Sequence, residues 1–545
     1  MRVSLRQWLG LLLVVAILHA PAFAQTPPAP PPPAARPLQD PAQQLIDQQK
    51  QQAQQRQLSQ PPAAITVPPS NPAMTLDIPP DTPVEQIVKT GSTFPVRTIV
   101  LADPNGQPLD HSSPVPVSKL DAITAPFVGH PLGSHRINVL LKRLTDAFVS
   151  AGYVTTRALL GPQNLESGTL TITVQFGRIE NFMVNGKPIH RLAAGEASTG
   201  GGLLTDAGYE NAFPGAHGEP LALSDLDQGV AQINRLRRNQ ASVQILPGQT
   251  VGDSVVAISN APGDRLYYNL GTDNYGSSAT GVTRYRAGVE ADNLMGLQEA
   301  ISLNFIDSLE SNALVGSIAV PYGRSTFSYT LSDSEYQEVI GTTVLEYGRT
   351  LSHILGWNYQ LSRTPADLTS LDATLSWHRT DRDANDIDPN PEHIAVLRIG
   401  GNWLHKFVLN DAPGNVTFDA GVSQGLPWLE ADHDAPGTTR DDAHSQFTKV
   451  DATASFTVPL PKLGPAALAY RGVLGGQYTN VALYGTEQLF LGGMDTVRGF
   501  RSGVLAGDRG VYSRNELAWV NALACARSGN GTSNCCRPKP QLAGS

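Results

Sequence analysis

Cysteine is nearly missing from this sequence: Cys525, Cys535 and Cys536 are the only three, and all fall within the last 21 residues. A disulfide framework is therefore excluded from the body of the chain. With no CxxC pair and no histidine at ligand spacing, nothing points to structural zinc. Long hydrophobic runs are also scarce. The longest, Trp8 to Leu18, is shorter than the ~20 apolar residues a spanning helix needs, so a membrane position would have to be reached without helices. Basic residues are outnumbered, with a net charge of −9, which argues against nucleic acid as a partner. The G-x-x-x-x-G-K-[ST] phosphate loop is lacking, so no nucleotide-driven motor is encoded. No reactive constellation stands out either. No catalytic residue, cofactor or metal is expected, and the acidic and histidine residues around Asp432, His433 and Asp434 read as solvated charge rather than a ligand set.

What is present begins with a leader. Arg2 and Arg6, the apolar run, and then Ala22-Phe23-Ala24 form the n-region, h-region and cleavage site of a secretory signal over residues 1–24, with the mature chain starting at Gln25. Its removal takes away two positive charges and leaves −11. Residues 25–92 read as a Pro/Gln-rich linker: 16 of the 42 prolines lie between Gln25 and Pro83, split by eleven glutamines from Gln39 to Gln60. Asp40-Pro41 is an N-cap followed by proline at the first helical position, so a helix is expected over about 38–60. Only Ala42, Leu45, Ile46, Ala53 and Leu58 mark a weak apolar stripe. Such a helix either frays in solvent or plugs a wet interior.

Two α+β modules follow, over 93–177 and 178–262. In the first, Val96 to Leu101 is a strand; Ile137, Leu140, Leu141, Leu144 and Phe148 share one helical face that ends at Gly152, and Thr169 to Phe176 alternates cleanly. In the second, Ile179 to Val184 is a strand, and Leu226, Val230, Ile233 and Leu236 make a helix face whose start, Ser224 with Asp227, approximates a capping box. Strands at Ser242 to Leu246 and Asp253 to Ser259 complete it.

From 263 to 520 helical periodicity gives way to dyad alternation. Tyr285, Ala287, Val289 and Ala291 alternate with Arg284, Arg286, Gly288, Glu290 and Asp292, and Leu371, Ala373, Leu375 and Trp377 alternate with Asp372, Thr374, Ser376 and His378. The same texture returns around Phe418 and from Val450 to Val458. Alternation alone fits a soluble sandwich as well. Strands near the ~9–11 residues that cross a bilayer, a secretory leader and the lack of a covering helix favour a transmembrane barrel, with its apolar face to lipid and its polar face to a wet lumen. Short turns such as Pro321 to Arg324 and long acidic connectors, Asp381 to Pro391 and Leu429 to Ser445, fit its two rims.

Inside that region lies a Gly-rich stretch, Gly492-Gly493, Val497-Arg498-Gly499-Phe500, then Gly507-Asp508-Arg509-Gly510. With the leader, the Pro/Gln helix, the paired modules and the alternating strands, it resembles the outer-membrane transporters of two-partner secretion, the haemolysin/filamentous-adhesin secretion and activation proteins. Further support comes from Ala151 to Ala158, Gly177 to Glu180 and Leu223 to Val230. The resemblance implies periplasmic POTRA modules and a 16-stranded barrel. It also implies a lumen loop over about 485–510 bearing Val497, Arg498, Gly499 and Phe500, and a pore-plugging N-terminal helix. The implied partners are an unfolded secreted exoprotein with an N-terminal two-partner secretion domain and outer-membrane lipid, with neither nucleic acid nor a small-molecule substrate.

The resemblance further implies a carboxylate for Arg498 on a barrel strand after the motif. Here the chain departs from the pattern: alternation stops after Trp519, and 521–545 reads as an aberrant tail. About twelve strands are expected, with the closing strands and the carboxylate missing, as a truncated or frame-shifted reading would produce. The function expected is export of one exoprotein without nucleotide hydrolysis, and not enzymatic. The alternatives are an outer-membrane assembly factor of the same superfamily and a soluble β-rich binding protein.

Overall fold

The computed structural model describes residues 40–59, 64–67, 79, 82–88, 92–111, 113–189, 205, 207–340, 344–385, 391–464, 466–493, 496–500 and 505–521. The leader, with Ala22, Ala24 and Gln25, lies outside them, as do residues 522–545 of the tail with all three cysteines. Helix α1 spans Pro41–Ser59, and the Asp40 carboxylate accepts from the Ala42 N–H at 2.8 Å, the N-cap its sequence announces.

The first module pairs β1 (Thr98–Ala102) in parallel with β3 (Thr169–Gln175), and β2 (Arg157–Leu159) antiparallel to β3. Helix α2 is Val117–Thr124 and α3 is Ser134–Ser150. Leu140, Leu144 and Phe148 of α3 are buried against Leu170, Ile172 and Val174 of β3. Each of these side chains contributes about 1.5–3 kcal/mol through burial, which is why a single helix face suffices to hold the module. Gly152 takes φ +95° just past α3, the left-handed position that ends the helix.

The second module repeats this plan. Its strands are β4 (Arg178–Val184), β5 (Ser242–Pro247) and β6 (Asp253–Ser259), with β6 parallel to β4 and antiparallel to β5. The linker piece Ile65–Thr66 adds in parallel to the outer edge of β5. Helix α4, Leu223–Ile233, starts from Ala222 with no side-chain cap, so the expected capping box does not form. The acids of that first turn serve another contact: Asp225 pairs with Arg324 at 2.8 Å and Asp227 with Arg363 at 3.0 Å, the first in a short turn of the large sheet and the second at the strand end leading into another. Gln232 donates to the Gly323 carbonyl at 2.9 Å and Arg235 to that of Gln298 at 3.0 Å. Burial pushes the Arg235 guanidinium down to about 10, which leaves it charged at neutral pH. The second module is thus bonded to three turns at one end of the sheet. Within its core, Gly229 faces the Phe213 ring so closely that a Cβ would overlap it, and Phe213 stacks on Phe182 at 4.9 Å. Gly229→Ala is expected to cost about 1–3 kcal/mol through overpacking. Limited proteolysis of the full chain should then cut this module faster while the barrel keeps its heat-resistant gel mobility.

Twelve antiparallel strands form one sheet in chain order: β7 (Leu266–Asp273), β8 (Arg284–Asp292), β9 (Ala300–Asp307), β10 (Ser311–Tyr322), β11 (Ser325–Ile340), β12 (Val344–Arg363), β13 (Asp367–Ala384), β14 (Glu392–Leu409), β15 (Ala412–Leu426), β16 (Thr448–Leu463), β17 (Ala466–Thr479) and β18 (Gly510–Asn521). Among the described residues the count is the twelve read from the sequence, not the sixteen that the resemblance implies. Among the described residues, β7 and β18 are the ends of the order and no pairing joins them. One row of cross-strand partners, Phe327, Trp357, Ala373, Ile399, Val422, Val450 and Tyr478, runs over seven strands on the outward face. Six of the seven are exposed large hydrophobics, as a lipid-facing band requires. No helix among the described residues is long and apolar enough to cross a membrane.

Candidate functional site: the polar lumen and its loop

On the opposite face of the sheet, α1 touches strands far apart in the order. Ala42, Leu45 and Ile46 are buried against Ile306, Ala313 and Val315 of β9 and β10. Arg284 donates to Gln44 at 2.6 Å, Arg286 to Gln48 at 3.4 Å, Arg56 pairs with Glu290 at 3.8 Å, and Lys406 of β14 donates to the Gln57 carbonyl at 3.2 Å. Contacts to both β8 and β14 mean that the sheet curls around the helix. Only the first turns of α1 are held by burial, since Ala53 is exposed. The glutamines supply hydrogen bonds to the barrel's inward polar residues, which is what a helix with so thin an apolar stripe can do in a wet interior.

The segment between β17 and β18 begins and ends at the rim remote from the modules. Leu489–Leu491 pairs with Leu505–Gly507 to make a short hairpin. Asp508 staples its base: the carboxylate accepts from the Leu483 N–H and from Gln488, both at 2.9 Å, and its carbonyl accepts from Gln477 at 2.9 Å. Lys449 holds Glu487 at 2.8 Å. The tip turns on Gly492, Gly493 and Gly499, with φ of +111°, +97° and +96°, a backbone region in which a Cβ is strained. Within it, the Gly493 N–H donates to the Phe500 carbonyl at 3.0 Å, and Gly492 donates to the Thr496 hydroxyl at 2.8 Å. Gly510 lets β18 start close to Leu489, where a Cβ would lie 3.3 Å from its side chain. Val497 is half-buried, while Phe500 and Arg509 are exposed.

Arg498 finds its carboxylate. Its Nη1 lies 2.9 Å from Glu516 Oε1 on β18, so the expectation of a missing partner is corrected: the acid comes from the last described strand. Glu516 sits at an inward position between exposed Asn515 and Leu517, directly opposite Arg471 on β17 and 3.3 Å from Arg514. One carboxylate therefore faces three guanidiniums, two of them in ion-pair contact and the third on the neighbouring strand.

A second inward cluster escaped the sequence reading. Arg398 donates from Nε to Asp451 at 3.1 Å, from Nη2 to Asp451 and Asp419 at 2.6 and 2.7 Å, and from Nη1 to Asp372 at 2.7 Å. Asp372, Gly400, Gly421 and Asp451 are successive cross-strand partners, and the guanidinium lies over the two glycines. A Cβ at Gly421 would come within 2.5 Å of it. One arginine thus ties β13, β14, β15 and β16 together. The signal was in the alternation: each of these charges occupies the polar parity of its strand, next to exposed Leu371, Ile399, Phe418 or Val450. Gly421→Ala is expected to displace Arg398 and leave carboxylates unpaired in the wall. The folded barrel's gel mobility should then be lost at a lower temperature than in the unaltered chain.

The connector from β15 to β16 covers the loop base from outside. Phe447 is buried with Ile394, Val396, Leu483 and Tyr484, and Ala443 and His444 pair with Ala482 and Leu483. Asp434 accepts from His444 at 2.6 Å and from the Ser445 N–H at 2.7 Å. Its hydrogen bond to Asp434 lifts His444 above its ordinary 6.5. Burial alone would raise Asp434, but its hydrogen bonds hold it below 3.8. The histidine's contribution is complete below pH 6.5 and is lost as pH rises through its raised value. The aspartate's is complete above pH 3.8 and is lost as pH falls through its lowered value. The connector is expected to be tightest between those limits. Amide exchange over 443–446, corrected for intrinsic rate, should be slower at pH 6 than at pH 9, and Asp434→Asn should abolish the difference.

Among the described residues, no group of three or more His, Cys, Asp or Glu side chains is arranged to hold a metal ion.

A sheet with a lipid-compatible exterior, a polar interior occupied by a helix and a loop, and two α+β modules at one rim define a class: an outer-membrane β-barrel transporter fed by POTRA modules. Residues 252–532 match the model of the haemolysin secretion/activation protein ShlB/FhaC/HecB family, 95–177 match the ShlB-type POTRA domain, and 178–247 match a further POTRA domain. The chain belongs to the ShlB/FhaC/HecB family of haemolysin secretion/activation proteins. It is an outer-membrane transporter of two-partner secretion, with its POTRA modules in the periplasm. It is similar to the outer membrane transporter CdiB of Dickeya dadantii, 28% identical over 421 residues that cover 75% of this chain and 71% of the relative. It is also similar to the hemolysin transporter protein ShlB of Serratia marcescens, 31% identical over 398 residues covering 71% and 67%. The solved structure of CdiB from Escherichia coli superposes with a TM-score of 0.70 at 27% identity, covering 90% of this chain and 86% of that one.

Proposed function

We propose that this chain exports one unfolded exoprotein bearing an N-terminal two-partner secretion domain, through a lumen that α1 plugs at rest, with outer-membrane lipid around it and without enzymatic activity. The observation that supports this best is a polar lumen filled by two separable pieces of the chain itself. Helix α1 is held there by one small apolar patch and side-chain hydrogen bonds, and the loop tip by the Arg498–Glu516 pair. An extended client would add as a strand to a POTRA edge, where backbone hydrogen bonds make little demand on sequence. The outer edge of β5 is already covered by Ile65–Thr66, two residues of the linker that leads from α1. A client strand taking that edge displaces the linker, which couples recognition to release of the plug. Val497, Gly499 and Phe500 shape the tip around Arg498. Gly492, Gly493, Gly507, Asp508, Arg509 and Gly510 form its support.

The test is deletion of the gene in its host, followed by assay of the large proteins that the host releases into the medium. Loss of one of them from the medium, with normal assembly of other barrel proteins, supports transport. Normal secretion with depleted outer-membrane barrels overturns it in favour of an assembly factor.

A further inference from the structure

The apolar exterior of the barrel ends abruptly on three neighbouring strands. Moving along β11, β12 and β13 away from the POTRA modules, the outward rows of cross-strand partners read Tyr329, Leu355, Leu375, then Leu331, His353, Trp377. The next outward row is Asp333, Leu351, Arg379, and the one beyond is Glu335, Arg349, Asp381. Trp377 on this side and Trp403, opposite Thr369 near the module end, mark the two interfacial levels at which aromatic rings settle. Eight residues of β13 separate those levels, about 27 Å of strand at ~3.4 Å per residue, or roughly 21 Å along the membrane normal at a tilt of ~40°, so the ~25 Å apolar band reaches just past both rings. Strand β12 has 20 residues and runs on past the upper level. Its charged rows therefore stand at headgroup height in the outer leaflet.

The ion pairs there leave donors over. Arg349 uses Nε and Nη2 on the two oxygens of Asp333, at 3.0 and 2.7 Å, with Glu335 at 3.6 Å from Nε. Arg379 turns Nε and Nη2 to Asp381 on its own strand, at 3.3 and 3.2 Å to Oδ1. Among the described residues, Nη1 of each guanidinium has no partner, and both side chains are about half exposed, at 49% and 46%. A guanidinium held flat by a carboxylate on one edge presents its other edge in a fixed direction, the geometry that suits a phosphate oxygen. Each arginine is matched by one aspartate, so the pairs do not repel an anion. Glu335, and Asp383 one outward row beyond, are left over, and a phosphate seated here would need a divalent cation to bridge to them.

We infer that these rows on β11–β13 bind the phosphorylated headgroup of an outer-leaflet glycolipid, with the free edges of Arg349 and Arg379 donating to its phosphates. A lipid is the occupant because the charged rows follow directly on the membrane-facing aromatic row, on the same face of the same three strands. A soluble anion has no reason to select that height. Bound there, the headgroup fixes how deeply this side of the barrel sits.

The test uses full-length protein extracted from outer membranes in mild detergent, with retained glycolipid counted by native mass spectrometry. The unaltered chain is expected to retain phosphorylated glycolipid, and the Arg349→Gln/Arg379→Gln double variant to retain at least threefold less. Arg440→Gln, in the connector above the barrel, should match the unaltered chain. Gel mobility before and after heating reports whether each variant is folded. Should the double variant fail to fold, Arg379→Gln alone serves, since its aspartate lies on its own strand and no cross-strand ion pair is lost. Equal retention by a folded arginine variant, or no retained glycolipid on the unaltered chain, overturns the assignment.

Discussion

Replacing Arg498 by alanine is expected to leave the protein folded in the outer membrane and to lower secretion of its client at least tenfold. The pair with Glu516 is partly exposed, with 39% of the arginine side chain accessible, so its share of stability is about 1 kcal/mol or less. The loop base also stays in place, because Asp508 and the Lys449–Glu487 pair hold it independently. What is lost is the side-chain tether that, among the described residues, joins the tip to the wall. Glu516 is not orphaned by the change, since Arg514 and Arg471 remain beside it. That separates a functional loss from a folding loss. The reverse change, Glu516→Gln, leaves three guanidiniums facing one another and should harm barrel yield as well as secretion. For the same reason, exchanging the two charges should not restore activity. The measurement is client protein in the medium at matched outer-membrane levels of transporter, and wild-type secretion by Arg498→Ala would remove the loop from the mechanism.

The second large effect concerns α1. Deleting residues 40–59 is expected to raise single-channel conductance several-fold in planar bilayers and to sensitise cells to antibiotics too large for ordinary pores. A sharper variant is Leu45→Asp/Ile46→Asp. These side chains are buried against Ile306, Ala313 and Val315, and their loss removes about 3–6 kcal/mol of burial. It also brings charge against an apolar patch. The rest of the helix is held by glutamine and arginine contacts that water can replace at little cost, so the equilibrium should move far toward the open lumen. Conductance unchanged in both variants would mean that the helix does not govern the pore.

How much of this was legible depended on the kind of pattern. Dyad alternation marked Ala373 and Val450 as lying on the apolar face, and cross-strand pairing through Ile399 and Val422 puts both in one outward row, because a period of two admits only one outward set per strand. The N-cap at Asp40 was equally local and formed as read. The capping box at Ser224 was also a local reading and failed: its acids reach Arg324 and Arg363 more than ninety residues away, and tertiary ion pairs outweighed the cap. Glu516 lies in the sequence where the alternation runs out, just before Trp519, and nothing local ties it to Arg498.

By itself the sequence determined the class of architecture, two α+β modules and a lipid-facing barrel, because helix and strand periods and their parity are written residue by residue. The tertiary structure alone decided which charges meet. Arg498 takes Glu516, eighteen residues on, across the loop; Arg398 gathers three aspartates from three other strands; and α1 joins β8 to β14. Parity tells which side of the wall a side chain occupies, but partnership across a lumen depends on register, curvature and the path of a glycine-turned loop, which no local period encodes.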